Sequence, residues 1–230
     1  MEDKIWYLKE INALKTLSQE QQMQLGSYCS MTRFAKNEVV YLPGDVNNIY
    51  LLKKGSIKLV SQKKDQEFVI KDVLEKGEIF GKCFGGENGE LGEQAIALED
   101  SMVCYLSFND WQKFMKENLD LNFSILKWAG FRIKRLERRM ESLYFKPAIE
   151  RVKDILFDLA TRLGKKDAAT GKITIPVHLS HEEFGQLTGC SRQNVTAILN
   201  EMRDKGYIDY SRQKLVILKA IEQFSHASSS

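Results

Sequence analysis

The sequence predicts an α+β protein with three parts: a β-rich N-terminal unit, a long helix, and a C-terminal unit with two short helices joined by a glycine turn. Three observations predict this architecture. Residues 34–108 contain short runs of β-branched and aromatic residues between glycines. Residues 109–144 contain no helix breaker apart from Gly130. The segment LSHEEFGQLTGCSRQNV has a serine helix cap on either side of a glycine.

The composition predicts a globular chain without a membrane span. Of its 230 residues, 43% are hydrophobic and 28% are charged, as in ordinary globular proteins. It has no run of eighteen apolar residues, and the first residues, MEDKIWYLKE, lack the apolar core of a signal peptide. We therefore expect a cytoplasmic protein.

The four cysteines are scattered along the chain. They form no CxxC pair, and no histidine lies near them at zinc-binding spacing. We expect reduced and mostly buried thiols and no metal site, because a free cysteine behaves as a small hydrophobic residue. The four are Cys29, Cys83, Cys104 and Cys190.

The first 108 residues predict a helical stretch followed by an all-β unit. Residues 3–30 have a helical pattern. After them come the runs EVVYL, IYLLKKG, SIKLVSQ, EFVIKDVL, AIALE and MVCYLSF. Short strands with regular turn signals are typical of a sandwich or a barrel. The glycines between the runs are Gly44, Gly55, Gly77, Gly81 and Gly92.

The stretch 109–144 reads as one long helix, interrupted only by Gly130, with two apolar faces. Leu121, Ile125 and Trp128 form a face that can pack on the β unit. The other face follows a heptad register and is polar only at Asn122, which can fix the register. This seam either packs within one chain or joins two chains; since two faces need two partners, we expect a dimer. Its residues are Leu119, Asn122, Leu126, Ala129, Ile133, Leu136, Met140 and Leu143.

The C-terminal third begins with a predicted amphipathic helix at residues 148–163, after the break at Pro147. GKKDAATGK predicts a turn and ITIPV a short strand. Two short helices follow. Ser180 with Glu183 predicts the start of the first, and Gly189 its end.

Ser191 can cap the second of these helices, which turns Val195, Ile198 and Leu199 to the core. Its first turn then carries Arg192, Gln193 and Thr196 outward. Two helices joined in this way form a helix-turn-helix, which in DNA-binding proteins presents the start of its second helix to base edges in the major groove. KGYIDYSRQKLVIL predicts a β-hairpin wing with Arg212 and Lys214 near its tip, where cations can contact phosphates.

The charge distribution agrees with this interpretation. Residues 145–230 hold thirteen Lys and Arg against ten Asp and Glu, so the formal excess of three lies in the last third of the chain. An excess of this size is also common on solvated surfaces.

These motifs resemble the CRP/FNR superfamily of bacterial transcription regulators over nearly the whole chain. LSHEEFGQLTGCSRQNVTAILNEMRDKGYI is similar to the family's helix-turn-helix signature, and FAKNEVVYLPGDVNNIYLLKKGSIKLV with LEKGEIFGK to its β-roll pattern. The resemblance implies a double-stranded β-roll, a cyclic-nucleotide-binding-like jelly roll, at residues 1–108. It implies a dimerisation helix at 109–144 and a winged helix-turn-helix at 145–226, and we expect a disordered tail at 227–230.

The resemblance also implies partners. Members act as homodimers on pseudo-palindromic DNA sites, with half-sites about one helical turn, roughly 34 Å, apart. The recognition helix then lies at about residues 191–202. Contact with RNA polymerase is implied by the family alone.

The family's base-reading positions carry over in part. Arg192 matches an arginine that reads guanine, whereas Gln193 stands where the best-known members carry glutamate. Ala197 replaces a second arginine of the cyclic-AMP-responsive members, and Thr196 matches a small polar reader of other branches. His181 lies near a family phosphate contact or is a solvated surface histidine. The predicted DNA-contacting residues are Ser191, Arg192, Gln193, Asn194, Thr196, His181, Arg212 and Lys214.

The cyclic-nucleotide cassette is incomplete. The family's Gly-Glu pair reads Gly81-Lys82 here, and its Arg-Ser pair reads Gln94-Ala95. A desolvated phosphate without its arginine is costly. Leu136 and Glu137 stand where nucleotide-binding members use hydroxyls. We therefore expect no cyclic AMP.

The sequence predicts no other cofactor. Only Cys29 precedes residue 80, so the cysteine cluster of the iron–sulfur members is missing. All three histidines lie beyond the β-rich unit, which argues against haem held there by histidine.

The signal that the β-roll senses stays open. The glycine-rich loop FGKCFGGENGELGEQ is expected to be a mobile loop over the effector site, since it lacks the spacing and lysine of a P-loop. A redox signal at Cys83 or Cys104, an unidentified ligand, and control by abundance alone are the alternatives. The candidate effector-pocket residues are Gly81, Lys82, Cys83, Gln94, Ala95 and Leu136.

Three classes of function compete: a sequence-specific DNA-binding regulator, a regulatory module that uses its winged helix to bind a protein, and an enzyme. The sequence has no GxSxG, HExxH or P-loop signature and no paired carboxylates, so we expect no enzyme. The exposed pair Arg192 and Gln193 favours the regulator.

Overall fold

The structure is a computed structural model that describes residues 14, 17–42, 47–62, 68–82, 93–176, 179–210 and 214–219. Six helices and twelve strands lie in these ranges. The chain divides into two units, Met1–Arg135 and Leu136–Ser230.

Two four-stranded sheets build the first unit, with the orders β1-β8-β3-β6 and β2-β7-β4-β5, and every described strand pair in them is antiparallel. They confirm the predicted β-roll. Strands β1 and β6 were not predicted, because they lie outside the β-rich sequence runs named above. In chain order the strands are β1 Ser30–Phe34, β2 Val39–Tyr41, β3 Asn48–Lys54, β4 Ile57–Gln62, β5 Phe68–Leu74, β6 Ile79–Gly81, β7 Glu93–Ala97 and β8 Ser101–Ser107.

Strand β3 is buried on both of its faces. Tyr50 and Leu52 belong to the core between the two sheets, whereas Ile49 and Leu51 belong to a second core on the outer face of their sheet. Side chains alternate along a strand, so one apolar strand can serve two cores. Trp111 is among the helical residues of the second core.

The first described helix, α1, spans Gln19–Tyr28 and begins with a capping box between Ser18 and Gln21. The helical stretch predicted at residues 3–30 therefore ends at Tyr28, and Ser30 already belongs to β1. Residues 1–13, 15 and 16 lie outside the described residues.

The predicted single helix at 109–144 is two helices, α2 Phe108–Glu117 and α3 Asp120–Phe145. The break lies at Asn118, whose side-chain Nδ2 donates to the Phe114 carbonyl at 2.8 Å and to Gln24 Oε1 at 3.2 Å. Asparagine side chains compete with the helix for main-chain hydrogen bonds, which explains the break. The predicted interruption at Gly130 is wrong, because α3 runs through it.

The face of α3 that was predicted to pack on the β unit does so. Leu121 and Trp128 are buried in the second core, and Ile125 is half-buried against it. An ionic cluster also ties α3 to the β-roll. Arg135 contacts Asp72 Oδ2 at 2.6 Å and Glu78 Oε1 at 3.1 Å. Within the described residues, no helix is both long enough and apolar enough to cross a membrane.

The heptad seam is left open in the single chain. Its large apolar side chains are between 40% and 69% exposed, although Ala129 is half-buried and Leu119 lies just before α3. Exposed apolar patches of this kind mark interaction surfaces. The exposed apolar seam residues are Leu119, Leu126, Ile133, Leu136, Met140 and Leu143.

The second unit contains three complete helices and a four-stranded sheet with the order β11-β12-β10-β9. The helix predicted at 148–163 is confirmed, and so are the wing strands. The strand β9 lies where a turn was predicted. After the end of α3 come α4 Ala148–Leu163, β9 Lys165–Lys166, β10 Ile173–Ile175, α5 His181–Thr188, α6 Arg192–Asp204, β11 Ile208–Tyr210 and β12 Leu215–Ile217.

The turn between β9 and β10 is organised by Asp167. Its carboxylate accepts hydrogen bonds from the main-chain amides of Ala169 and Thr170. These two bonds are the main cause that lowers the pKa of Asp167.

Candidate nucleic-acid interface

The caps predicted around the helix-turn-helix are confirmed. Ser180 Oγ accepts from the Glu183 amide at 3.2 Å, and the Glu183 carboxylate accepts from the Ser180 amide at 2.7 Å. Gly189 ends α5 with φ at +63°, a left-handed conformation that favours glycine. Ser191 Oγ accepts from the Asn194 amide at 3.2 Å and starts α6.

Gly185 lets α5 approach the turn closely. A Cβ at this position would lie 2.6 Å from the Cys190 carbonyl oxygen, and the Cys190 amide donates to the Gly185 carbonyl at 3.0 Å. No local sequence signal indicates this role, since a glycine in the middle of a helix is recognised only as a weak helix former. Arg151 on α4 supports the turn by donating to Cys190 Sγ at 3.4 Å.

The last turns of α3 also hold the turn of the motif. Arg139 Nε donates to the Leu187 carbonyl at 3.0 Å. Leu143 Cδ2 lies 2.6 Å from where a Cβ on Gly189 would be. Both contacts come from the part of α3 that belongs to the second unit, and they hold the turn in place.

The outward face of α6 carries the predicted readers. Arg192, Gln193 and Asn194 are exposed, while Val195 and Leu199 are buried beneath them. Asn200 was missed, although its position four residues after Thr196 places it on the same helical face. One open depression is lined by Arg192, Gln193, Thr196, Ala197 and Asn200.

His181 is half-buried and hence is not a solvated surface histidine. Its Nδ1 lies 2.7 Å from Thr196 Oγ1, and the same hydroxyl donates to the Arg192 carbonyl at 2.8 Å. The Tyr210 ring packs against the imidazole with centroids 5.1 Å apart. This arrangement joins the first residue of α5 to both α6 and the wing.

The wing is only partly described. Lys214, before β12, is exposed, while Arg212 lies outside the described residues. Tyr210 ends β11, where burial, and to a lesser extent the negative charge of Glu183, raises its pKa.

Among the candidate effector residues in the β-roll, Gly81 ends β6 and Lys82 follows it. Gly81 has φ at +87°, and a Cβ there would lie 2.6 Å from the Asn48 carbonyl. Lys82 Nζ lies 5.3 Å from the centroid of the Phe108 ring, in a cation–π contact. Cys83 lies outside the described residues.

The remaining candidates lie on β7 and α3. Gln94 is buried, and Ala95 belongs to the core between the sheets, whose other members include Tyr41, Tyr50 and Phe80. These three rings stack with centroids 5.2 to 6.2 Å apart. Leu136 belongs to the second unit.

The described cysteines are thiols, mostly buried as predicted: Cys29 and Cys104 are buried, and Cys190 is half-buried. Among the described residues, no group of His, Cys, Asp and Glu is arranged to hold a metal ion.

Two family models match the chain in the order of its two units. A cyclic nucleotide-binding domain matches residues 31–118, and a Crp-like helix-turn-helix domain matches residues 150–224. The chain belongs to the CRP/FNR superfamily of transcription regulators.

Curated relatives and solved structures agree with this membership. A global nitrogen regulator of Nostoc sp. is 26% identical over 87% of this chain and 91% of its own length. A cAMP-activated global transcriptional regulator CRP of Pasteurella multocida is 23% identical over 83% of this chain and 91% of its own length. A CooA mutant from Carboxydothermus hydrogenoformans shares the fold, with a TM-score of 0.67, 24% identity and coverage of 88% of this chain and 89% of its own.

CRP/FNR regulators bind DNA and act as dimers. They are transcription regulators and not enzymes.

Proposed function

We propose that this CRP/FNR regulator binds a specific DNA sequence by placing the first turns of α6 in the major groove. The observation that carries the proposal is the outward stripe on α6. Arg192, Gln193, Thr196, Ala197 and Asn200 line one open depression, while the apolar residues between them face the core. A recognition helix of this kind contacts base edges with its N-terminal residues.

The stripe has the chemistry for direct readout. The Arg192 guanidinium can donate two hydrogen bonds to O6 and N7 of guanine, and the carboxamides of Gln193 and Asn200 can each pair with adenine. Within the described part of the chain, Arg192 forms no salt bridge, so its charge is available to DNA. Ala197 leaves room where cyclic-AMP-responsive relatives carry an arginine, so this operator differs from theirs.

Phosphate contacts position the helix. Ser191 and Asn194 lie at the N-terminus of α6, where exposed amides favour anions. Lys214 on the wing is an exposed cation, and Arg212 belongs to the same wing sequence. These contacts set the orientation without selecting bases.

A homodimer forms through the heptad seam of α3. Its apolar side chains are exposed in the single chain, and the exposed Asn122 supplies the one polar position that fixes the register. The dimer presents two α6 helices to half-sites about 34 Å apart. It regulates transcription through contact with RNA polymerase.

An effector other than cyclic AMP acts on the β-roll. Ala95 points into a core filled by stacked rings, and Gln94 supplies no cation for a phosphate. We also propose that neither haem nor an iron–sulfur cluster is used and that the chain has no enzymatic activity.

Selection from a pool of random duplexes, followed by gel shifts, tests the proposal. The chain should enrich an inverted repeat, and its affinity should fall steeply with salt, with a log–log slope near −0.9 per phosphate contact. Arg192→Ala should enrich a motif with one relaxed position per half-site. Failure to enrich any motif would contradict the proposal, and salt-insensitive capture of a protein partner instead would favour the winged helix as a protein-binding module.

A further inference from the structure

We propose that His181 sets the base preference at Thr196: it holds the threonine hydroxyl against the main chain, so that Thr196 reads DNA through its methyl group. The inference rests on the proposed function and makes His181 a positioning residue. The DNA base that it selects is thymine, whose C5-methyl group lies in the major groove.

The position of one proton follows from two distances. Thr196 Oγ1 lies 2.8 Å from the Arg192 carbonyl oxygen, and two oxygens at this distance require a proton between them. The hydroxyl has a single proton, so it donates to Arg192. Nδ1 of His181, 2.7 Å from the same Oγ1, must then carry a proton and donate to it.

This arrangement uses up the hydrogen-bond donor of Thr196. Because its proton is bound to the Arg192 carbonyl, the hydroxyl cannot donate to a base. One of its lone pairs accepts from the imidazole. The second lone pair can still accept from a base amino group. The methyl group is the apolar feature that Thr196 adds to the depression between Arg192, Gln193, Ala197 and Asn200.

The imidazole is needed because a helical threonine has two rotamers. Its hydroxyl can bond the carbonyl three or four residues earlier from either of them, so the helix alone does not fix the methyl group. A donor from α5 that meets Oγ1 in only one rotamer removes this freedom. Valine, in contrast, prefers a single rotamer in helices and needs no such donor.

The wing keeps the imidazole in place. The Tyr210 ring packs on His181 with an angle of 35° between the planes, and Tyr210 ends β11. The first residue of α5 is thus held between the wing and the recognition helix. This contact explains how a residue outside α6 can act on the base that α6 reads.

The first test needs no DNA. In nitrogen-15 spectra of the full chain at a pH where the imidazole is neutral, the proton of His181 should be on Nδ1. The methyl couplings of Thr196 should report one rotamer, which becomes averaged in His181→Ala and is restored in His181→Asn, whose amide can donate from a similar position. A proton on Nε2 alone, or an unchanged rotamer in His181→Ala, would overturn the proposal.

The second test uses the selected operator with each thymine replaced in turn by deoxyuridine. One position per half-site should lose about fourfold in affinity, the value of one buried methyl group. Thr196→Ser should abolish this loss, because serine keeps the hydroxyl but lacks the methyl. Thr196→Val should keep it.

A double-mutant cycle separates positioning from a merely structural role. His181→Ala should reduce the thymine–uracil difference when residue 196 is threonine and leave it unchanged in the Thr196→Val background. Equal losses in both backgrounds, or a uniform loss on all sequences as for a phosphate contact, would overturn the proposal. These failures require a selected operator, so they are distinct from failure of the proposed function, in which no motif is enriched.

Discussion

Arg139 on α3 caps a helix of the DNA-binding motif: its Nε donates to the Leu187 carbonyl at 3.0 Å, in the last turn of α5. The carbonyls at a helix C-terminus lack partners within the helix, and a cation there also opposes the helix dipole. The same helix carries the exposed seam. Leu136 and Leu143 of the seam lie three and four residues from Arg139 on this helix.

Arg139→Gln should destabilise the second unit by about 1–2 kcal/mol, because a part-buried bond from a charged donor is lost. Amide hydrogen exchange in α5 and α6 measures the change, and operator affinity should fall with it. The neighbouring exposed Arg138→Gln is the matched control and should leave both unchanged. Equal effects of the two substitutions would refute the cap.

Gly185→Ala should disrupt the helix-turn-helix, because the new Cβ would lie 2.6 Å from the Cys190 carbonyl oxygen, a main-chain atom that cannot rotate away. We expect a loss of about 1–3 kcal/mol in stability and weaker operator binding. Gly26→Ala in α1 is the matched exchange: apart from the helix's own backbone, no described atom lies within 4 Å of the new Cβ, and the variant should gain up to about 1 kcal/mol in stability. A Gly185→Ala chain as stable as the native one would show that the turn can move.

Arg192→Ala should cost about 1–3 kcal/mol of operator binding and relax one base preference per half-site. Lys214→Ala is the contrasting variant: it should weaken binding on all sequences and lower the salt slope by about 1. Selected-site sequencing and salt titrations measure both. An unchanged base preference in Arg192→Ala would show that Arg192 does not contact a base.

Leu136→Asp should dissociate the dimer and abolish operator binding, since an aspartate on each seam places two charges in an apolar contact. Sedimentation velocity measures the oligomeric state. Lys127→Asp, exposed on α3 but outside the seam, introduces the same side chain and should leave the dimer intact. A Leu136→Asp chain that still sediments as a dimer would rule out the seam.

Stability at alkaline pH should depend on Tyr210. Burial raises the pKa of its phenol above the ordinary value of 10.0, so the folded chain keeps a proton that the unfolded chain releases first. This contribution is complete below pH 10.0 and is lost as the pH rises through the folded pKa. Between about pH 9 and about pH 11 the free energy of unfolding should fall more in the native chain than in Tyr210→Phe. Parallel curves for the two proteins would contradict the pKa shift.

Local signals predicted the helix boundaries around the site correctly. The capping residues act through neighbours three or four residues away, so the local sequence alone reveals their effect. They are Ser180, Glu183, Gly189 and Ser191. The prediction of one uninterrupted helix at 109–144 was wrong at Asn118. The hydrogen bond from its side chain to Gln24 joins residues that are distant in the chain, so the local sequence does not reveal it.

The sequence by itself determined the two kinds of unit, the open seam and the outward start of α6, because apolar periodicity and caps depend on residues close in the chain. The tertiary structure alone decided how individual side chains are used. His181 meets Thr196 fifteen residues away, Arg139 meets Leu187, and Gly185 makes room for Cys190. Such contacts depend on where folding brings distant segments together, and no local spacing encodes them.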